Sequence, residues 1–115
     1  MGKNIRESKE ADALFQAILS LETREECYKF FDDLCTIAEM GAMIQRYAVA
    51  NMLTKNMTYT EIENKTGAST ATISRINRAL LHGEGGYMLA IDRSKKSGIC
   101  WRFLSTRSNP YLLRT

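Results

Sequence analysis

The sequence predicts an all-α fold of about six helices. Apolar residues recur at helical spacing along most of the chain, and a Ser or Thr suited to cap a helix precedes several of these stretches. The alternation typical of a strand nowhere persists beyond a few residues, and Pro110 is the only proline. With 115 residues, the chain has room for one modest core.

The first two predicted helices carry apolar faces. We expect the first to begin near Ser8, and its apolar stripe consists of Ala11, Leu14, Phe15, Ile18 and Leu19. A capping box of Thr23 and Glu26 opens the second, which we expect to reach Gly41. Its apolar arc consists of Cys27, Phe30, Phe31, Leu34, Ile37 and Ala38. Because this arc is wider than one neighbouring helix needs, we expect it to pack against a partner subunit as well as the chain's own core.

A third helix is predicted at about residues 42–54. Its apolar residues are Ile44, Ala48, Met52 and Leu53. Arg46 lies on its polar side. We expect the methionines at positions 43, 52 and 57 to fill gaps in the core, because thioethers pack adaptably.

Two short helices joined by a tight turn are predicted between Thr58 and His82. Thr58 and Glu61 form a capping box, and Gly67 most readily adopts the left-handed conformation that ends a helix. Ser69 is a suitable N-cap for the second helix, whose core-facing residues are Ile73, Ile76 and Leu80. This arrangement is typical of a helix-turn-helix.

The opposite face of the second helix is polar and cationic, with no acidic residue between Ser69 and His82. Its residues, with their flanks, are Ala71, Thr72, Ser74, Arg75, Arg78 and His82. Small residues allow close approach, while hydroxyls and arginines donate to phosphates and base edges in a major groove. The face therefore predicts DNA binding; the alternative is a two-helix corner whose face is polar because it is solvated.

The end of the chain is basic. A short closing helix is expected at residues 87–91, completing a domain of residues 1–91, and residues 92–115 are expected to form a tail that orders on DNA or on a neighbouring subunit. If Trp101, Phe103 and Leu104 pack, the tail is instead structural.

Charge is unevenly distributed along the chain. Residues 1–40 carry 5 Lys/Arg and 9 Asp/Glu, residues 41–91 carry 5 and 3, and residues 92–115 carry 6 and 1. This division suits a protein with one face toward a polyanion, although solvated surfaces also carry excess charge.

Several classes of protein are not expected. The chain has no run of 18 apolar residues and no apolar region in its polar start, so we expect a cytoplasmic protein without a membrane span. Cys27, Cys35 and Cys100 are interpreted as reduced core cysteines. Because His82 is the only histidine, neither a zinc site nor a catalytic triad is expected, and we predict no cofactor and no enzymatic activity.

The segments LFQAILSLETREECYKFFDDLCTIAEM, QRYAVANML and TYTEIENKTGASTATISRINRAL resemble the YerC/YecD family of Trp-repressor-like proteins. The likeness covers roughly residues 14–92, and GASTATISR is its most specific part. The resemblance implies an intertwined, two-fold symmetric all-helical homodimer that binds double-stranded DNA.

The family's DNA-contacting positions are matched at Thr70, Ala71, Thr72, Ser74 and Arg75, and its phosphate-contacting region at Tyr59 and Thr60. With the two caps and Arg78, the predicted DNA-binding residues are Thr58, Tyr59, Thr60, Ser69, Thr70, Ala71, Thr72, Ser74, Arg75 and Arg78. Glu63 departs from the family pattern, because Trp repressors carry a lysine there.

The family's tryptophan pocket is matched only in part, at Gln45, Arg46, Arg75, Ile76 and Ala79. Arg75 keeps one of two arginines, and Gln45 stands in place of the other. Ile76 replaces a glycine and Ala79 a serine, so a branched side chain fills the space that an indole needs. We therefore expect no tryptophan corepressor, and the sequence identifies no other small-molecule effector.

Two functions follow from these observations. The first is a homodimeric, sequence-specific DNA-binding regulator, most simply a repressor. The second is a helical module that binds a protein partner through the same face, which Glu63 and the acidic first part of the chain favour. An enzyme would need a polar pocket that no residue cluster in the sequence supplies.

Overall fold

The computed structural model describes residues 8–97, with only the backbone described at positions 96 and 97. These residues form six α-helices and no strand, which confirms the all-α prediction. The helices are α1 (Lys9–Leu19), α2 (Arg24–Leu34), α3 (Ile37–Thr54), α4 (Tyr59–Thr66), α5 (Thr70–His82) and α6 (Gly86–Ser97). None of the helices in the described part of the chain has the length and apolar character of a membrane span.

The first two helices begin at the residues that the sequence indicated. The Ser8 hydroxyl accepts from the Ala11 N–H at 3.0 Å, and the Thr23 hydroxyl accepts from the Glu26 N–H at 3.1 Å. The second arrangement differs from the predicted capping box, because the Glu26 carboxylate accepts from the N–H of Glu22, at 2.8 Å, rather than from that of Thr23.

The predicted boundary at Gly41 is wrong. Helix α2 ends at Leu34, and α3 runs without interruption through Gly41. The cause is a start signal at Thr36 and Glu39, where the Thr36 hydroxyl accepts from the Glu39 N–H at 3.0 Å and the Glu39 carboxylate accepts from the Thr36 N–H at 2.9 Å. These two hydrogen bonds begin a new helix immediately after the extended backbone of Cys35.

The chain divides into two compact units after Met40, inside α3. In the first unit, neither α1 nor α2 contains a buried residue. Large apolar side chains are instead exposed: Phe15 (59%), Leu19 (76%), Leu34 (50%) and Ile37 (87%). Cys27 is also exposed, so its predicted core position is wrong, whereas Cys35 is half-buried and Cys100 lies outside the described residues. The helical pattern thus placed these residues on common faces, and several of their large apolar side chains are exposed in the single chain.

The second unit holds the core. Its buried apolar residues are Val49, Ala50, Met52, Ile62, Ala68, Ile73, Ile76 and Ile91. The predicted core residues Ile73 and Ile76 of α5 are buried, and Leu80 packs against the cluster as a partly buried side chain. This core joins the second half of α3 to α4, α5 and α6, and so fixes the two helices that carry the candidate site.

The closing helix is longer than the sequence indicated. Helix α6 begins at Gly86 and continues to Ser97, six residues into the segment expected to be a tail. The rest of that segment, including Trp101, Phe103 and Leu104, lies outside the described residues.

A buried threonine closes the end of α4. The Thr66 hydroxyl donates to the Ile62 carbonyl at 2.8 Å and accepts from the Ala68 N–H at 3.1 Å. The Gln45 side-chain amide of α3 donates to the Thr66 carbonyl at 2.9 Å. Because Thr66 is only 2% exposed, water cannot replace these bonds.

We expect the change Thr66→Val to destabilise the protein by about 1–3 kcal/mol, because it leaves the Ala68 N–H without its acceptor. Urea unfolding of the full chain, at one protein concentration, measures this difference. Thr66→Ser keeps the hydroxyl and serves as the control. A loss with serine as large as that with valine would show that the methyl group, not the hydroxyl, stabilises this turn.

Candidate nucleic-acid interface

Helix α4 and the turn after it form as the sequence predicted. The Thr58 hydroxyl accepts from the Glu61 N–H at 3.1 Å, and the Glu61 carboxylate accepts from the Thr58 N–H at 2.9 Å. The helix ends at Gly67, whose φ of 76° lies in the left-handed region that glycine adopts without steric cost. The turn between α4 and α5 therefore spans only residues 67–69, and the two helices form a helix-turn-helix.

Helix α5 begins at Ser69, whose hydroxyl accepts from the Thr72 N–H at 3.1 Å. Ile73 and Ile76 are buried, at 0% and 3% exposure, and anchor the inner face. The exposed residues of α5 that the sequence predicted to contact DNA are Thr70, Ala71, Ser74, Arg75 and Arg78, while Thr72 is half-buried. The structure thus places these residues together on the side of the helix away from the core.

The two arginines of this face make no ion pair within the described part of the chain. Helix α5 contains no acidic residue. Among residues 8–97, no ion pair or side-chain hydrogen bond involves the guanidinium of Arg75 or Arg78. Both cations are therefore available to an anionic partner, in the planar donor geometry that suits phosphates and guanine edges.

The predicted contacts at the start of α4 differ in their availability. Thr60 is exposed, but Tyr59 is half-buried and packs against the core cluster. Thr58 is exposed, but its backbone N–H already donates to the Glu61 carboxylate. Thr58 therefore caps the helix first, and a phosphate contact through its backbone requires that this bond open.

One contact on this face was not foreseen. Glu63 of α4 accepts a hydrogen bond from the Thr70 hydroxyl at 2.5 Å, so an acidic side chain lies beside the first turn of α5. In the sequence, Glu63 is a departure from the family pattern that favours a protein partner, and its bond to Thr70 is not predicted. Glu63 and Thr70 are seven positions apart and lie on different helices, so no short-range sequence pattern predicts a hydrogen bond between them.

The five residues that match the family's tryptophan pocket have different surroundings in the structure. The Gln45 amide is bound to the Thr66 carbonyl, Ile76 belongs to the core, and Arg46 and Arg75 are exposed. Ala79 lines a cavity with a volume of about 370 Å³. The other lining residues are Tyr47, Gly83, Glu84, Gly85, Gly86, Tyr87 and Ala90.

The described residues also hold no group of three or more His, Cys, Asp or Glu side chains arranged to bind a metal ion.

Comparison with known proteins identifies relatives over most of the chain. The sequence profile of a family described as Trp repressor protein matches residues 9–95. A Bacillus subtilis protein described as "Uncharacterized protein YerC" is 56% identical over 89 residues, which are 77% of this chain and 86% of that protein.

Two solved structures share the fold. A TrpR-like protein from Eubacterium eligens has a TM-score of 0.77 and 45% identity, with 86% of this chain and 99% of that chain covered. A structure described as a putative Trp repressor from Staphylococcus aureus has a TM-score of 0.75 and 48% identity, with 81% and 96% covered.

Proposed function

The chain belongs to the Trp repressor protein family, and on this premise we propose that it is a sequence-specific DNA-binding transcriptional regulator, acting as a repressor. The observation that carries the proposal is the outer face of α5. There Arg75 and Arg78 are exposed on a helix without acidic residues, behind the small and hydroxyl-bearing side chains of its first turn. In a helix-turn-helix, this end of the second helix enters the major groove. Such a regulator would act in the cytoplasm and would need no catalytic residue.

We infer a homodimer from the uncovered apolar side chains. Leu19 and Ile37 are 76% and 87% exposed, and α1 and α2 bury no residue in the single chain. A second copy would remove these side chains from water, and each fully buried leucine or isoleucine contributes about 1.5–3 kcal/mol. Two recognition helices roughly 34 Å apart would then reach successive major grooves of a palindromic site.

The dependence of binding on salt distinguishes DNA binding from the alternative function, a helical module that binds a protein partner. If α5 docks on DNA, about 6–10 phosphate contacts by the dimer would lower the affinity 10³- to 10⁵-fold between 50 and 200 mM salt. Fluorescence anisotropy of a labelled duplex measures this slope. A slope near zero would instead favour a protein partner that binds through apolar contacts.

We expect no specific binding of tryptophan. Ile76 is 3% exposed within the core, where its branched side chain fills the space that an indole needs. The Gln45 amide already donates to the Thr66 carbonyl, and it lacks the positive charge that would pair with the carboxylate of tryptophan. Titration calorimetry of the full chain with L-tryptophan is expected to give no saturable heat. Saturable binding tighter than about 1 mM would contradict this expectation.

A further inference from the structure

A carboxylate is attached to the beginning of the proposed recognition helix. Thr70 is the first residue of α5, and its hydroxyl donates to Oε2 of Glu63 at 2.5 Å. Thr70 is exposed and Glu63 is half-buried, so the bond lies at the surface of the helix-turn-helix. The first turn of a recognition helix is the part that approaches base edges. Glu63 therefore lies beside the residues that would read the DNA.

A role in holding the two helices together does not account for this charge. Ile62 of α4 and Ile73 of α5 are both fully buried in one cluster, which already joins the helices. On a face that otherwise carries hydroxyls and cations, a carboxylate repels phosphate and weakens non-specific binding. A partner that donates hydrogen bonds would, in contrast, gain a favourable contact from this carboxylate.

We propose that Glu63 is a specificity-determining residue that accepts a hydrogen bond from the N4 amino group of a cytosine in the major groove. This proposal rests on the DNA-binding function proposed above. An ionised carboxylate only accepts hydrogen bonds, and its Oε2 atom is engaged by Thr70. The Oε1 atom has no hydrogen-bond partner among residues 8–97, and it is the atom that meets the base.

The chemistry of the groove selects cytosine. Guanine and thymine present acceptor oxygens there, which repel a carboxylate, and the phosphates do the same. Adenine has an amino donor, but its N7 acceptor lies next to it. Cytosine presents its amino donor without a neighbouring acceptor on the same base, and Glu is one of the side chains that accept from it. The Thr70 hydroxyl fixes the carboxylate and so reduces the freedom that it loses on binding.

The test uses the DNA site that the full-length protein selects from random duplexes. The affinity of the unmodified protein and of Glu63→Gln is measured, at fixed salt, for this site and for versions with each base pair replaced in turn. For the unmodified protein, we expect replacement of one C·G pair to lower the affinity about 5- to 150-fold. Glu63→Gln, nearly identical in shape, is expected to lose most of this preference at that pair and to keep the others.

Thr70 supplies a second variant and its control. Thr70→Val removes the hydroxyl at nearly constant shape, so we expect it to weaken the preference at the same base pair, whereas Thr70→Ser keeps the donor and the preference. If Glu63→Gln changes the affinity for all sites by one factor, Glu63 acts only through its charge and the proposal is overturned. The proposed function fails separately, if the unmodified protein selects no site at all.

Discussion

Replacing Arg75 with alanine is expected to lower the affinity for the selected DNA site by about 2–6 kcal/mol, since each half-site of a dimeric complex loses about 1–3 kcal/mol. Arg75 is exposed on α5, and no ion pair within residues 8–97 occupies its guanidinium. If it reads a guanine through two hydrogen bonds, its loss also relaxes the base preference at that position. Anisotropy with the site and its single-base variants, at fixed salt, measures both effects.

Lys65→Ala provides the matched control, because it removes the same charge from an exposed position of α4. We expect a smaller loss, equal for all DNA sequences, as for a lysine that contacts only phosphate. If Arg75→Ala and Lys65→Ala behave alike, Arg75 contributes charge without reading a base.

Replacing Leu19 with glutamate is expected to separate the proposed dimer. Leu19 is 76% exposed in the single chain, and burial of one leucine contributes about 1.5–3 kcal/mol. Because a symmetric dimer contains the residue twice, its dissociation constant should rise about 10²- to 10⁴-fold, before the added cost of a buried carboxylate. Sedimentation equilibrium over a range of concentrations measures the constant.

Gln16→Glu adds the same charge at an exposed polar position of α1 and is expected to leave the dissociation constant within about threefold, as for an exposed substitution. A monomeric unmodified protein, or a Leu19→Glu variant as strongly associated as the unmodified one, would rule out an interface at this face.

Local signals predicted the helix-turn-helix well. Each of its signals acts over a few residues of the chain: the capping box of Thr58 and Glu61, the glycine at position 67 and the N-cap at Ser69. The sequence therefore shows both the capping residue and the backbone that it caps. The same kind of signal occurs at Thr36, but the apolar periodicity continues through this residue and predicts one uninterrupted helix. Periodicity alone therefore placed the boundary at the wrong residue.

Two features of the molecule have no local signal. The bond between Glu63 and Thr70 joins different helices, and its geometry depends on how the core sets one helix against the other. The exposure of Phe15 and Leu19 depends on what covers α1, whereas periodicity shows only that they share a face. For these reasons, the sequence predicted which residues lie together on a helix better than it predicted their partners.

Selection of bound duplexes from random DNA by the purified full-length protein, at fixed salt, tests the central claim most directly. We expect enrichment of a two-fold symmetric site whose half-sites lie about 10–10.5 base pairs apart, with a G·C pair at the position contacted by Arg75. Failure to enrich any sequence over the starting pool, by a protein shown to be folded, would contradict the claim that this chain reads DNA.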